Sequence, residues 1–345
     1  MDIANLGRKV VFTSAVSLIA LMGISAAQAQ ELNIYSSRHY DTDEALYDNF
    51  TEQTGITINR IEAGADELIE RLVAEGANSP ADLLITVDAG RLWRADEASL
   101  LQPVNSDILE ERIPEYLQHP DNHWFGFSKR GRVIVYNVDD GAPEGLENYE
   151  DLADPAYEGM ICIRSSSNIY NISLMASLIE NVGPEAAQAW AEGVVANMAR
   201  DPEGNDTAQL RAVAAGECAL GVSNTYYVGR LLASDDADDR AIGEQLGIIF
   251  PNQDNRGTHV NISGAGVLAN APNPDAAVAF LEYLTSDEAQ GYFAQGNNEY
   301  PVVEGTAVPG PIANFGDFQE DNINAGIFGA NAAEAVRIYD RAGWQ

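Results

Sequence analysis

Three short stretches place tyrosines where an open α/β protein presents its ligands. They are Ser36-Ser37-Arg38-His39-Tyr40, Ser165-Ser166-Ser167-Asn168-Ile169-Tyr170 and Asn224-Thr225-Tyr226-Tyr227. Each follows a short apolar run and precedes a helical pattern, so each falls at the carboxyl end of a strand, where open sheets bind ligands. A phenol ordinarily ionises near pH 10 and is neutral at pH 7. Several phenols converging beside His39 need a partner that favours their ionised form. A hard, highly charged cation is such a partner, because it lowers the phenol pKa and gains an oxygen anion from each ring. Ferric iron fits best, being oxygen-seeking and bound by tyrosinate in other proteins. Ferrous iron also fits if some phenols stay protonated. Helix N-termini at the same turns favour phenolate over phenol. Four phenolates on Fe3+ leave a negative core that an arginine could offset, and Arg38, Arg130, Arg164 and Arg230 are the candidates by position.

Taken singly, these residues have ordinary explanations. A tyrosine among 14 is usually a half-buried packing residue. Tyr226 and Tyr227 diverge by about 100° on a helix, so one could pack inward while the other faces water. The triple serine reads equally well as a helix cap. His119, His123 and His259 show no ligand spacing and read as structural or exposed. The conjunction at three comparable turns is what carries the argument.

The elements that must position those turns alternate along the chain. Leu32-Asn33-Ile34-Tyr35 reads as a strand, Thr42-Asp43-Glu44 as an acid-rich helix start, and Gly55 as its stop. Ile56, Ile58 and Ile61 mark a second strand, and Leu68, Leu72 and Gly76 a second helix. The run from Asp82 to Val87 is apolar enough to be buried on both faces, as in a parallel sheet covered by helices. The class is therefore α/β with doubly wound sheets. Extended runs at 125–136 and 257–268 read as crossings between two lobes joined by a hinged cleft. The expected division is 30–128 with 260–345 in lobe 1, and 129–259 in lobe 2. The acidic run Asp235 to Asp239 reads as a solvated loop.

Arg8-Lys9, the apolar run Val10 to Ile24 and Ala27-Gln28-Ala29 form a secretory signal peptide over residues 1–29. The apolar run is shorter than the roughly 20 residues a bilayer requires, so the mature chain is expected to be exported, soluble and not membrane-inserted. Cys162 and Cys218 then meet an oxidising compartment, where an even count favours a disulfide over two buried thiols. Cys162 precedes Tyr170 by eight residues and Cys218 precedes Tyr226 by the same eight. If the bridge joins neighbouring parallel strands, it holds the two tyrosine turns in register, since its Cα atoms must lie within about 7 Å.

The composition narrows the partners. The 345 residues include 53 acids against 19 bases, a net charge of −34, which repels nucleic acid and anionic lipid. Lys9 and Lys129 are its only lysines, so the acidity reads as solubility in salty water. HExxH, GxSxG, GxGxxG, Walker-type and CxxC motifs are absent. A chain so rich in carboxylates gives no information through carboxylate pairs. An enzyme on a two-lobed scaffold remains a weaker reading. So does a receptor for an oxyanion or small organic acid held at the Ser165 to Ser167 turn.

With these residues in view, the mature chain resembles the periplasmic ferric-iron-binding proteins of bacterial iron ABC importers. The likeness is greatest to their tyrosine-rich, cyanobacterial-type branch. The matching landmarks are Tyr35 to Tyr40, Pro80-Ala81-Asp82, Arg132 to Asn137, Ser165 to Asn168, Asn224 to Tyr227 and Gly264 to Val267. The resemblance implies a type II, transferrin-like periplasmic-binding fold that closes over one Fe3+ and hands it to a membrane permease as a monomer. It makes Tyr226 and Tyr227 the paired ligands, with His39, Tyr40 and Tyr170 beside them, and places Arg38, Arg130 and Arg230 around the site. The anion-dependent branch has a glutamate ligand where this chain has Val87, so neither that ligand nor a synergistic carbonate or phosphate is expected.

Overall fold

The computed structural model of the chain describes residues 30–38 and 40–345. The expected signal peptide and His39 lie outside the described residues. The first lobe begins β1 (Glu31–Ser36), α1 (Glu44–Thr54), β2 (Thr57–Glu62), α2 (Ala65–Glu75), β3 (Leu83–Val87) and α3 (Ala89–Glu97), followed by α4 (Asp107–Arg112) and β4 (Phe125–Asn137). The alternation follows from local chemistry. Gly55, at φ 74°, closes α1 in the left-handed region, where its N–H reaches the Thr51 carbonyl. The Asp88 side chain caps α3 through the Gly90 N–H.

The chain then builds β5 (Ile161–Cys162), α5 (Ile169–Val182), α6 (Pro184–Ala196), α7 (Asp206–Ala214), β6 (Leu220–Asn224), α8 (Thr225–Ala233), α9 (Ala237–Glu244) and β7 (Leu246–Ile249). It returns through β8 (Val260–Val267), α10 (Pro274–Leu284), α11 (Asp287–Asn297) and β9 (Tyr300–Pro301), and ends in α12 (Ile327–Ala330) and α13 (Ala332–Ala342).

The strands run in the order β2-β1-β3-β8-β4-β6-β5, with β7 and β9 also on β4. β4 is the long crossing. Its first half pairs antiparallel with β8, and Arg132 to Asn137 pair antiparallel with β6 and β7. β3 is buried throughout, as its composition predicts, yet it pairs parallel with β1 and antiparallel with β8, so the sheet is mixed. The Gly264-Ala265-Gly266 run of β8 reflects crowding there. A Cβ on Gly264 would sit 2.5 Å from the Phe125 carbonyl oxygen, and one on Gly266 would sit 2.6 Å from that of His123.

The apolar side chains separate into three clusters. The first gathers Leu32, Phe50, Leu84, Trp124, Ile262 and Phe280, the second Ile134, Leu174, Trp190 and Val222, and the third Val133, Val135, Leu210, Val213 and Val228. The end of the chain is divided between the first two. Phe328 of α12 joins the first core, whereas Ala335, Ile338, Tyr339 and Trp344 join the second. The acidic run at 235–239 is only partly a loop. Asp236 caps α9 through the Asp238 N–H, and Asp238 and Asp239 occupy its first turn, where the helix dipole favours acids. No described helix is long and apolar enough to cross a membrane.

Candidate metal centre

Two of the tyrosine turns are fixed by adjacent strands. β5 and β6 pair in parallel with Ile161 opposite Leu220 and Cys162 opposite Gly221. The Cys162–Cys218 disulfide joins them with Cα atoms 5.8 Å apart. β6 turns directly into α8, whereas residues 163–168 lead from β5 to α5, so Tyr226 and Tyr227 stand second and third in α8 and Tyr170 second in α5. The cap of α5 is Asn168, whose side-chain oxygen accepts the Tyr170 N–H at 3.0 Å. The serines before it bond one another, with Ser165 Oγ and Ser167 Oγ 2.9 Å apart. The expected serine cap is thus replaced by the residue that follows, which alone is placed to reach the second N–H of the helix.

This arrangement puts the Tyr226 hydroxyl 3.2 Å from that of Tyr170, and the Tyr226 and Tyr227 rings 4.3 Å apart. Tyr40 enters from the other lobe, between β1 and α1. The Arg230 guanidinium of α8 lies 4.6 Å from the Tyr40 ring, 4.8 Å from Tyr226 and 6.0 Å from Tyr227. Tyr40, Tyr170, Tyr226 and Tyr227 are therefore brought to one place.

Burial sets the proton balance. Tyr226 is 2% exposed. Its phenol is pushed well above the ordinary value by burial and by the neighbouring Tyr170, Tyr227 and Tyr40, against the opposing charge of Arg130. Tyr227 is raised by burial, Tyr170 and Asp206. Without a cation these two phenols hold their protons at neutral pH.

The candidate arginines take different positions. Arg38 is buried, bonded to Asp43 at 3.0 Å and Glu299 at 2.8 Å, with its guanidinium 4.8 Å from the Tyr40 ring. Arg130 lies 3.9 Å from Glu299 and donates to Ser263 Oγ at 3.1 Å. Arg164 lies 5.4 Å from the Tyr170 ring and 3.4 Å from Asp206. Among the described residues, Arg230 has no carboxylate at ion-pair distance. It is the cation left to act on the phenols.

Sequence reasoning missed several participants. Arg132, 1% exposed, donates to Asn171 at 2.6 Å, Asn224 at 3.0 Å and Asp206 at 3.3 Å, tying α5, β6 and α7 behind the tyrosines. Asp88 holds φ at 80°, a strained region for a side-chain-bearing residue. It accepts hydrogen bonds from Ser173 Oγ at 2.8 Å and Asn261 Nδ2 at 2.9 Å, so one carboxylate joins the end of β3 to α5 and to β8. The only sequence signal for these residues was charge inside an apolar run, as in Arg132 before Val133-Ile134-Val135.

Residues 45–319 match the family model described as bacterial extracellular solute-binding protein. Iron uptake protein A1 of Synechocystis is 54% identical, covering 92% of this chain and 88% of its own length. Iron uptake protein A2 of the same organism is 50% identical over 99% of both. A solved structure of the Trichodesmium protein IdiA (FutA), in complex with iron and citrate ligands, is 56% identical. It superposes with a TM-score of 0.89, covering 91% of this chain and all of that one.

Proposed function

The chain belongs to the bacterial extracellular solute-binding proteins, and we propose that within this family it captures ferric iron and delivers it to the permease of an iron ABC importer. The observation that carries the proposal is the meeting of four tyrosines from both lobes, Tyr226 deeply buried and both it and Tyr227 held protonated, around an arginine that has no carboxylate partner among the described residues. Tyr40, Tyr170, Tyr226 and Tyr227 are the ligands in this reading, with His39 completing the set. Fe3+ ionises the phenols by direct coordination, and the protons leave to solvent. Arg230, with Arg38 and Arg130 behind, offsets the surplus negative charge. Four phenols and an imidazole nearly fill an octahedral ion without a synergistic anion. Ferrous iron would enter the same site with fewer phenols ionised.

The protein works in the periplasm as a soluble monomer and performs no catalysis. The names of the relatives, Iron uptake protein A1 and A2, support the cargo. For the lobes, we keep the sequence-based division at β4 and β8 with one amendment. Residues 332–345 are assigned to lobe 2, because α13 packs into its core. With ligands on both lobes, loading draws the lobes together.

An absorption spectrum tests the proposal. Chelator-stripped protein titrated with ferric citrate at high salt should develop a visible tyrosinate-to-iron band that saturates at one iron per chain. A folded protein that develops no band would overturn the phenolate site and favour an oxyanion or organic acid as the ligand.

A further inference from the structure

We infer that the chain carries a second cation site, for a borderline divalent transition metal such as Zn2+, at Asp96, His119 and His123. One ligand atom from each of these side chains lies within 4.8 Å of the other two. His119 Nε2 is 3.2 Å from one Asp96 oxygen, and His123 Nδ1 contacts the other. The imidazoles are stacked nearly parallel, 4.8 Å apart at 9°, and the His119 ring meets the buried Trp124 edge-on at 5.6 Å. All three side chains are half-buried, so the donors are oriented by packing while solvent keeps access.

The backbone holds the histidines in place. The His119 N–H donates to the Trp124 carbonyl and the Asn122 N–H to the His119 carbonyl, both at 2.9 Å, with Asn122 in the left-handed region at φ 60°. This tight loop presents both rings to the last turn of α3, where Asp96 stands. Asp96 is about 12 Å along the helix axis from Asp88 at the other end, which separates this cluster from the phenol cleft. Beside it opens a cavity of about 440 Å³ whose lining includes Glu110, Glu115 and His119. Those carboxylates, on a chain of net charge −34, concentrate cations there.

The donor set determines the ion. Two imidazoles and one carboxylate suit Zn2+, Cu2+, Ni2+ or Co2+, whereas Fe3+ gains more from phenolates. Three protein ligands leave at least one position for water, the pattern of an exchangeable site. Loading has one local cost. His119 Nδ1 accepts the exposed Asp121 N–H at 3.1 Å, so the ring proton sits on Nε2, facing Asp96. When the metal takes Nε2, the proton moves to Nδ1 and the Asp121 amide turns to water.

The test uses Co2+ alone as a spectroscopic probe, on the full-length mature protein already saturated with ferric iron so that the phenols are occupied. The expected result is one Co2+ per chain with d–d bands of a four- or five-coordinate ion, bleached by added Zn2+. His123→Ala and, independently, His119→Gln should weaken binding by more than about 100-fold, the upper end of what loss of a supporting contact costs. Both variants should keep the circular dichroism of the parent. Absence of Co2+ bands at millimolar cobalt, or binding unchanged in either folded variant, would overturn the assignment.

Discussion

Loading the phenol cluster with Fe3+ in the proposed manner must expel protons, and their number can be counted. Tyr226 and Tyr227 are both held above the ordinary phenol value by burial and by neighbouring groups, so each enters the reaction at pH 7 with its proton attached. Each proton released on binding makes the affinity change tenfold per pH unit, about 1.4 kcal/mol. The sign is fixed, because the protonated ring competes with the metal and affinity rises as pH rises. These two rings alone contribute a hundredfold per pH unit, or about 2.7 kcal/mol. The perturbation is Tyr227→Phe, which keeps the ring packed 4.3 Å from Tyr226 and removes only the hydroxyl. Isothermal titration calorimetry in two buffers of different ionisation enthalpy gives the protons released per iron. With ferric citrate as the common source, its own protons cancel between wild type and variant. The variant should release one proton fewer and lose one tenfold step per pH unit. Tight binding with an unchanged proton count would refute the reasoning, since Tyr227 would then not be ionised by the metal.

Glu299→Gln removes the charge that Arg38 and Arg130 share at 2.8 and 3.9 Å, and should cost about 3–5 kcal/mol in urea denaturation at pH 7. Burial alone would push Glu299 up, but the two guanidinium groups hold it below the ordinary carboxylate value. Its contribution is therefore complete at neutral pH and lost as pH falls through the folded value, so the gap between wild type and variant should narrow in acid. A gap independent of pH would discount the ion pairs. His259 is buried with its pKa lowered to about 3, by burial and then by Arg132, Arg130 and Arg256. The unfolded chain takes up this proton near the ordinary histidine value and the folded chain does not. Between those two values stability should fall by about 1.4 kcal/mol per pH unit, and His259→Gln should abolish that slope in acid-unfolding curves. Cys162→Ser with Cys218→Ser opens a loop of sequence separation 56 and should lower stability by about 4 kcal/mol on the chain-entropy model. It should also weaken the iron band, because the bridge aligns the strands that aim Tyr170 and Tyr226. An unaltered iron titration would limit the bridge to a stability role.

The parts of the centre legible in the sequence are those whose positions depend on nearby chain. Tyr226 and Tyr227 follow directly on the end of β6 and Tyr170 stands at the start of α5, and the equal spacing from two cysteines anticipated the pairing of β5 with β6. What surrounds them was not legible, because it depends on distant contacts. Glu299 meets Arg38 across 261 residues, and Asp206 meets Arg132 across 74. No periodicity connects such positions, and in a chain with 53 acids one carboxylate does not stand out. The histidines show the same limit from the other side. His119 and His123 are four residues apart, a spacing that signals metal only on a helix, and here a tight loop does the alignment instead.

The final helix carries the argument one step further. The apolar residues of α13 identify a buried face, but a stripe of that kind fits any complementary surface, so the sequence leaves its partner open. In the fold, α12 contributes Phe328 to the first core and the adjoining α13 contributes Ile338 and Tyr339 to the second. The end of the chain thus runs covalently from one core to the other, as β4 does. The Tyr339 hydroxyl donates to the Asn171 carbonyl at 2.7 Å, one residue beyond Tyr170. An added connection seated directly behind the Tyr170 turn would, in the proposed reading, restrict how the lobes can rotate. On the proposed function, the phenols of the second lobe would be held in a single arrangement while Tyr40 is brought to them, so that two half-sites on separate cores meet around one small ion.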